Sequence, residues 1–151
     1  MKLKFDFKNA TVYIDKSEDI LIVPCGIWPA HNVTAEISNI VELKHPYTLE
    51  QLQFALEEGI QRCYSQNVDS DFPKVTSLEK FLNVKGYKKA IKNKKVISLF
   101  WNKADGYQVT PTTYANKKGF VHQEENTIIL GTKPVPFGIA EAVLKAITLS
   151  K

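Results

Sequence analysis

Six lysines crowd into eleven positions, Lys85, Lys88, Lys89, Lys92, Lys94 and Lys95, with Tyr87 among them. Lysines release counterions from a phosphate backbone and aromatic rings stack on bases, so the run has the composition of a nucleic-acid contact. It contains no arginine, the residue that reads phosphate and guanine bidentately. The simpler reading is a solvated helix and turn in a lysine-biased protein, and a nucleic-acid-binding module using residues 85–95 stands as the alternative function. Paired carboxylates occur at Glu57-Glu58, at Asp69 and Asp71, and at Glu124-Glu125. Their helix-surface and loop settings suit solvated faces better than a general acid and base. His31, His45 and His122 are far apart in sequence, and His122-Gln-Glu-Glu125 lacks the second histidine of a zinc protease. Cys25 and Cys63 fit no metal-binding or redox spacing and read as buried thiols. The seven glycines are scattered, so no loop is built to cradle phosphate. No catalytic set, metal site or cofactor site is therefore expected. Trp28, in Gly26-Ile-Trp-Pro29, is either an interface anchor or a lid folded over the end of the core.

The elements that carry these residues repeat. Shifted by eighty-seven positions without a gap, Thr11-Val-Tyr-Ile-Asp15 lies under Ser98-Leu-Phe-Trp-Asn102, and Ile22-Val-Pro24 under Val109-Thr-Pro111. The same shift sets Leu52, Ala55, Leu56 and Ile60 under Ile139, Ala142, Val143 and Ile147. Matched Asn and Pro positions, beside the apolar ones, point to two copies of one unit of several strands closed by a helix. Alternation marks strands at Leu3–Phe7 and Thr11–Ile14, with a turn at residues 8–10. An apolar run from Ile20 to Val23 should end at Pro24, followed by a loop to Asn32 and a strand near Ile37–Leu43. Thr48-Leu-Glu-Gln51 and Thr76-Ser-Leu-Glu79 each have the form of a capping box, in which hydroxyl and side-chain acceptor satisfy free backbone amides reciprocally. Asp105-Gly106 signals a hairpin. The expected architecture is α+β, a single domain spanning 1–151. Two antiparallel meander-plus-helix units, about 1–65 and 96–149, are related by a pseudo-two-fold, with a basic helical insert at about 74–95 between them.

Charge is divided along the chain. The formal total of +4 combines −5 for residues 1–73, +9 for 74–118 and zero thereafter. Such asymmetry bears on partners and not on fold. The first copy is acidic and the joining segment strongly basic. No apolar run approaches the ~20 residues of a membrane span, and Met1–Lys8 alternates charged and apolar residues without a signal-peptide core. The expected location is the cytoplasm, with no membrane partner.

Several short motifs along the chain resemble one family. They are the Lys4-Phe-Asp-Phe-Lys-Asn-Ala10 start, the Gly26-x-Trp-Pro29 loop, Pro46-Tyr-Thr-Leu-Glu-Gln-Leu52 before a helix, Gly86-Tyr-Lys-Lys89, and Gly106-Tyr-Gln-Val-Thr-Pro-Thr112 before Gly119-Phe-Val121. Together they are similar to the immunity proteins of bacterial contact-dependent growth inhibition, the CdiI family. The resemblance implies a non-enzymatic bacterial protein that binds the C-terminal toxin domain, a ribonuclease, of a large surface effector and blocks its active site. An inhibitor of a nuclease gains association rate and specificity by presenting negative charge to a phosphate-binding site. On that ground Glu57, Glu58, Asp69, Asp71, Glu124 and Glu125 are expected partner-binding residues, with Trp28 beside them as an aromatic interface anchor.

Overall fold

The computed structural model describes residues 5–151. The first copy contributes β1 (Phe7–Ile14), β2 (Ile20–Trp28), β3 (Val33–Glu36), β4 (Val41–Leu43) and the helix α1 (Leu49–Gln61). Two short helices, α2 (Ser77–Leu82) and α3 (Tyr87–Ile91), form the insert. The second copy then supplies β5 (Lys95–Asn102), β6 (Gly106–Ala115), β7 (Gly119–His122), β8 (Ile128–Gly131) and α4 (Gly138–Leu149). All eight strands form one antiparallel sheet in the order β3-β2-β1-β5-β6-β7, with β4 also pairing with β2 and β8 with β6. The fold is the α+β arrangement expected.

The sheet carries the repeat in its hydrogen bonds. β1 pairs with β5 with Thr11 opposite Ser98, two residues separated by the repeat length. A shift of eighty-seven turns the pair Val12–Ile97 into Leu99–Ala10, which is also a pair. The pseudo-two-fold axis therefore passes between Thr11 and Ser98. Register is preserved outward as well: Ala10 pairs with Pro24 as Ile97 pairs with Pro111. Ile22 pairs with Val41 as Val109 pairs with Ile128. Register departs by one residue at the outermost hairpins, Cys25 opposite Glu36 against Thr112 opposite His122, and at a bulge in the β6–β8 ladder, where Tyr107 is opposite Gly131 while Ile20 is opposite Leu43.

Side chains alternate across the sheet, so register decides what each face buries. Ala10, Val12, Ile20, Ile22, Ile97, Leu99 and Val109 turn to one face and pack under α1 and α4. From the helices come Leu52, Leu56 and Ile60 of α1 and Ile139, Val143 and Ala146 of α4. Each fully buried Leu, Ile or Val contributes about 1.5–3 kcal/mol relative to exposure, which makes this layer the main source of stability. Both predicted capping boxes form. Thr48 accepts from the Gln51 amide at 3.1 Å while Gln51 accepts from the Thr48 amide at 2.9 Å. Thr76 and Glu79 do the same at the start of α2.

Four local expectations are corrected. β1 is one continuous strand with no turn at residues 8–10, because its full length is paired with β5; the Leu3 and Lys4 part of the predicted first strand lies outside the described residues. The predicted loop from Gly26 to Asn32 is shorter, since β2 continues to Trp28 and pairs with β3. Pro24 does not end β2. At this position the outer partner changes from β4 to β3, so no ladder amide is required, and the Pro24 carbonyl accepts from the Ile37 amide at 3.0 Å. Pro111 does the same in β6, accepting from the Gln123 amide at 2.9 Å. The predicted strand near Ile37–Leu43 is accordingly reduced to β4.

Where α1 crosses β2, Gly59 sits so close that an added Cβ would overlap Ile22 Cγ2. The second copy has Ala146 at this position. Gly59→Ala improves helix propensity by about 1 kcal/mol in isolation, yet overpacking a core costs about 1–3 kcal/mol. Urea denaturation of Gly59→Ala should therefore show an unchanged or lower midpoint; a stabilised variant would mean that α1 can lift from the sheet without loss.

Candidate binding face

The opposite face of the sheet departs from the repeat. Tyr13, Leu21, Val23, Ile40 and Val96 form a second apolar cluster that packs under Leu78, Ala90 and Ile91 of the insert. At the related positions of the other copy stand Phe100, Gln108, Thr110, Thr127 and Asn9. Where Val23 and Ile40 share an apolar cluster, Thr110 and Thr127 share a hydrogen bond of 3.0 Å between hydroxyls. The insert follows only the first copy, and the apolar cluster it packs on is drawn mainly from that copy's strands, with Val96 from β5.

A cavity of about 290 Å³ opens along this boundary, over the pseudo-two-fold axis. Its floor is Asn9, Thr11 and Ser98, with the Ser98 hydroxyl donating to Asn9 Oδ1 at 3.2 Å. Thr112 lies in the wall with its hydroxyl tied to the Val96 carbonyl at 2.6 Å; Phe120 and His122 of β7 close one side. Glu36 and Tyr87 close the other. The Tyr13 hydroxyl donates to Glu36 Oε2 at 2.6 Å and lies 3.3 Å from the Tyr87 hydroxyl. Tyr87 is held there by the insert: Glu79 of α2 accepts the Gly86 amide at 3.0 Å and fixes the junction with α3. That amide, followed by the Thr76 amide, keeps the Glu79 carboxyl below the usual range.

Glu36 is the charged group of this cavity that its surroundings compensate least. Burial pushes its carboxyl above the usual carboxylate range, against the hydrogen bond from Tyr13 and the influence of the Thr11 hydroxyl. Among the described residues no basic side chain lies within 4 Å of it. Burial, ahead of the charge of Glu36, also raises Tyr13 well above the usual tyrosine value. A partly desolvated carboxylate ringed by hydroxyls and aromatic rings suits a cationic guest.

The residues expected to bind a partner fall in three places. Trp28 ends β2 and packs edge-on against Phe72 at 4.8 Å and beside His31 at 4.0 Å, half-buried. Phe72 lines a neighbouring cavity that shares Glu36 and Tyr87 with the first. Asp69 and Asp71 flank this region, but Lys80 binds both, at 3.0 and 2.7 Å, and the Ser38 hydroxyl donates to Asp69 at 2.7 Å. These two carboxylates brace the insert. Glu124 and Glu125 occupy a 3-10 turn just after β7, Glu124 at 3.7 Å from His122. Glu57 and Glu58 are elsewhere, on α1 across the sheet, where Glu58 pairs with Arg62 at 3.0 Å and Glu57 borders a cleft beside Val135 and Phe137. Glu36 itself was not singled out by sequence, because in Val33-Thr-Ala-Glu36 it is one carboxylate in a four-residue strand. The signal that bears on it is the loss of apolar character at the repeat-related positions of this face.

Both cysteines are buried and unpaired. Among the described residues no cluster of three His, Cys, Asp or Glu is placed to hold a metal ion, and no helix is long and apolar enough to cross a membrane.

Glu36 gives a stability test with a definite sign. Its folded pKa is raised, so the folded state binds the proton more tightly than the unfolded state. Stability from this group falls as pH rises from the ordinary carboxylate range through the raised value. Glu36→Gln, which keeps the Tyr13 hydrogen bond and removes the charge, should unfold at a higher temperature than the parent at pH 7. The difference should shrink as pH falls to about 4, near the ordinary glutamate value. A lower melting temperature at pH 7 would show that the charge is compensated.

No protein-family model matches the chain, and no curated protein matches it. Among solved structures, a protein of unknown function from Neisseria meningitidis, NMB0488, is similar over 100% of this chain and 100% of its own, with a TM-score of 0.70 at 13% identity. That likeness shows a shared fold.

Proposed function

We propose that this chain is a cytoplasmic immunity protein that binds the toxin domain of a contact-dependent growth inhibition effector and blocks it, the Glu36 cavity serving as the anchor point. The motif resemblance to such immunity proteins supports the class. The observation that carries the anchor is Glu36, a desolvated carboxylate without a cationic partner among the described residues, facing a cavity of hydroxyl and aromatic groups.

A ribonuclease binds a polyanion, and its active site is furnished with basic side chains. A lysine or arginine from that site, inserted into the cavity, meets the Glu36 carboxylate, the Tyr13 and Tyr87 hydroxyls and the ring of Phe120. The ion pair then forms at a half-buried carboxylate that the docked partner covers, the setting in which interface residues reach hot-spot energies. A stable interface takes about 800 Å² from each partner, more than one cavity supplies. The Trp28–Phe72 corner on one side and the Glu124–Glu125 turn on the other extend the same face. Inhibition on this reading is stoichiometric occlusion, with no chemistry performed by the inhibitor.

The test is affinity for the toxin domain encoded upstream of this chain's reading frame, measured by calorimetry. Glu36→Gln should weaken binding by roughly 30-fold or more, the equivalent of about 2 kcal/mol. The Glu57→Gln, Glu58→Gln double variant, changed only on the helical side, should bind as the parent does. If the double variant fails and Glu36→Gln binds normally, the docking face is the helical one. If the neighbouring toxin domain is neither bound nor inhibited, the immunity reading itself falls.

A further inference from the structure

A second cavity, of about 320 Å³, lies next to the first and shares Phe120 with it. Four lysines line it, Lys88, Lys92, Lys94 and Lys151, together with the rings of Tyr114 and Phe120. No carboxylate side chain is among its lining groups. Among the described residues none of these lysines pairs with an Asp or Glu carboxylate within 4 Å.

The lysines come from separate segments that the backbone holds together. Lys88 is on α3. Lys92 and Lys94 follow it in a tight turn, in which the Lys92 amide bonds to the Lys89 carbonyl and the Lys94 amide to the Ile91 carbonyl at 3.0 Å. Lys151 lies alongside β6, its amide donating to the Thr112 carbonyl at 3.1 Å and its backbone oxygen accepting from the Tyr114 amide at 2.9 Å. Tyr114 and Phe120 face each other across the β6–β7 hairpin, edge to face at 5.1 Å, and Tyr114 is 38% exposed. Lysine side chains from these segments thus border a pocket with an accessible aromatic wall. Phosphate and a planar ring, joined in one molecule, match both halves of that lining. The volume is at the small end for ligand sites, which run from about 300 to 1,000 Å³, and suits a single nucleotide unit.

We infer that this cavity binds a nucleoside phosphate, its base stacked on Tyr114 and its phosphate among Lys88, Lys92, Lys94 and Lys151. The same chemistry is offered by a free nucleotide and by one unpaired nucleotide at the end of a strand. The absence of arginine predicts little preference among bases, since bidentate reading of guanine is missing. This inference is independent of toxin binding and needs no toxin for its test.

The experiment is a two-dimensional NMR titration of the full chain with uridine 5′-monophosphate, with ribose 5-phosphate, and with an eight-residue oligouridine. The nucleotide should give saturable shifts at Ile91, Tyr114 and Phe120, with ribose 5-phosphate roughly 10-fold weaker for want of a base to stack. Lys92→Gln with Lys94→Gln should weaken the nucleotide about 10-fold and flatten its salt dependence. Tyr114→Ala should remove the advantage of nucleotide over sugar phosphate, while Lys103→Gln, in the distant β5–β6 turn, changes nothing. Equal affinity for the mononucleotide and the oligomer assigns the site to free nucleotides, and tighter binding of the oligomer assigns it to a strand end; either result supports the site. Equal binding of nucleotide and ribose 5-phosphate, shifts centred elsewhere, or no saturation by about 10 mM, well above the range of ordinary specific ligand affinities, would overturn it.

Discussion

Pairing Thr11 with Ser98 fixes the relation between the two copies, and the rest of the molecule is built outward from that ladder. Because successive side chains alternate faces, a slip of one residue between β1 and β5 would turn Ala10, Val12 and Ile14 away from Ile97 and Leu99. The helices α1 and α4 would then meet Thr11 and Ser98 instead of a continuous apolar floor. The same register leaves Asn9, Thr11 and Ser98 on the other face, in the floor of the polar cavity. Core and site are thus two sides of one hydrogen-bond pattern. That pattern leaves little freedom to alter one without the other.

Departures from symmetry are concentrated on the side that is not the main core. Leu52, Ala55 and Leu56 meet their equivalents Ile139, Ala142 and Val143 with modest changes of shape, and all of them share one cluster. On the other face Leu21, Val23 and Ile40 correspond to Gln108, Thr110 and Thr127. The insert explains the difference: its Leu78, Ala90 and Ile91 need an apolar seat, and they occupy only the first copy's half. The charge division follows the same geometry. Glu36 and the lysines of the insert come to adjoining cavities with Phe120 between them, so the face presents both signs within a short span. A partner that fits it must itself be mixed in charge.

The repeat was legible in the sequence because it is written in apolar spacing and in two prolines, and the two capping boxes because a Thr followed at the third position by Gln or Glu is local chemistry. The lengths of β1 and β2 were not. Lys8-Asn-Ala10 has turn composition and Pro24 has a breaker's composition, but long-range pairing with β5 and a change of outer partner override both. Asp69 and Asp71 read as free acids, whereas Lys80, nine residues beyond Asp71, ties them both. The Glu36 cavity draws on five strands and a helix, each giving one to three residues, so no segment of the chain carries its pattern.

The two-fold through Thr11 and Ser98 has a consequence for the halves taken separately. In the whole protein β1 gives one edge to β2 and the other to β5. A chain ending before the insert would leave that second edge bare, a row of unmet amides and carbonyls beside an open apolar floor. Its own copy is the nearest match for both, because a strand meeting itself about Thr11 restores the same ladder and the same alternation. Joining two units in one polypeptide removes the concentration dependence of that encounter. It also frees the copies to diverge: unlike a dimer of identical chains, the joined pair can carry Leu21 and Val23 in one half and Gln108 and Thr110 in the other.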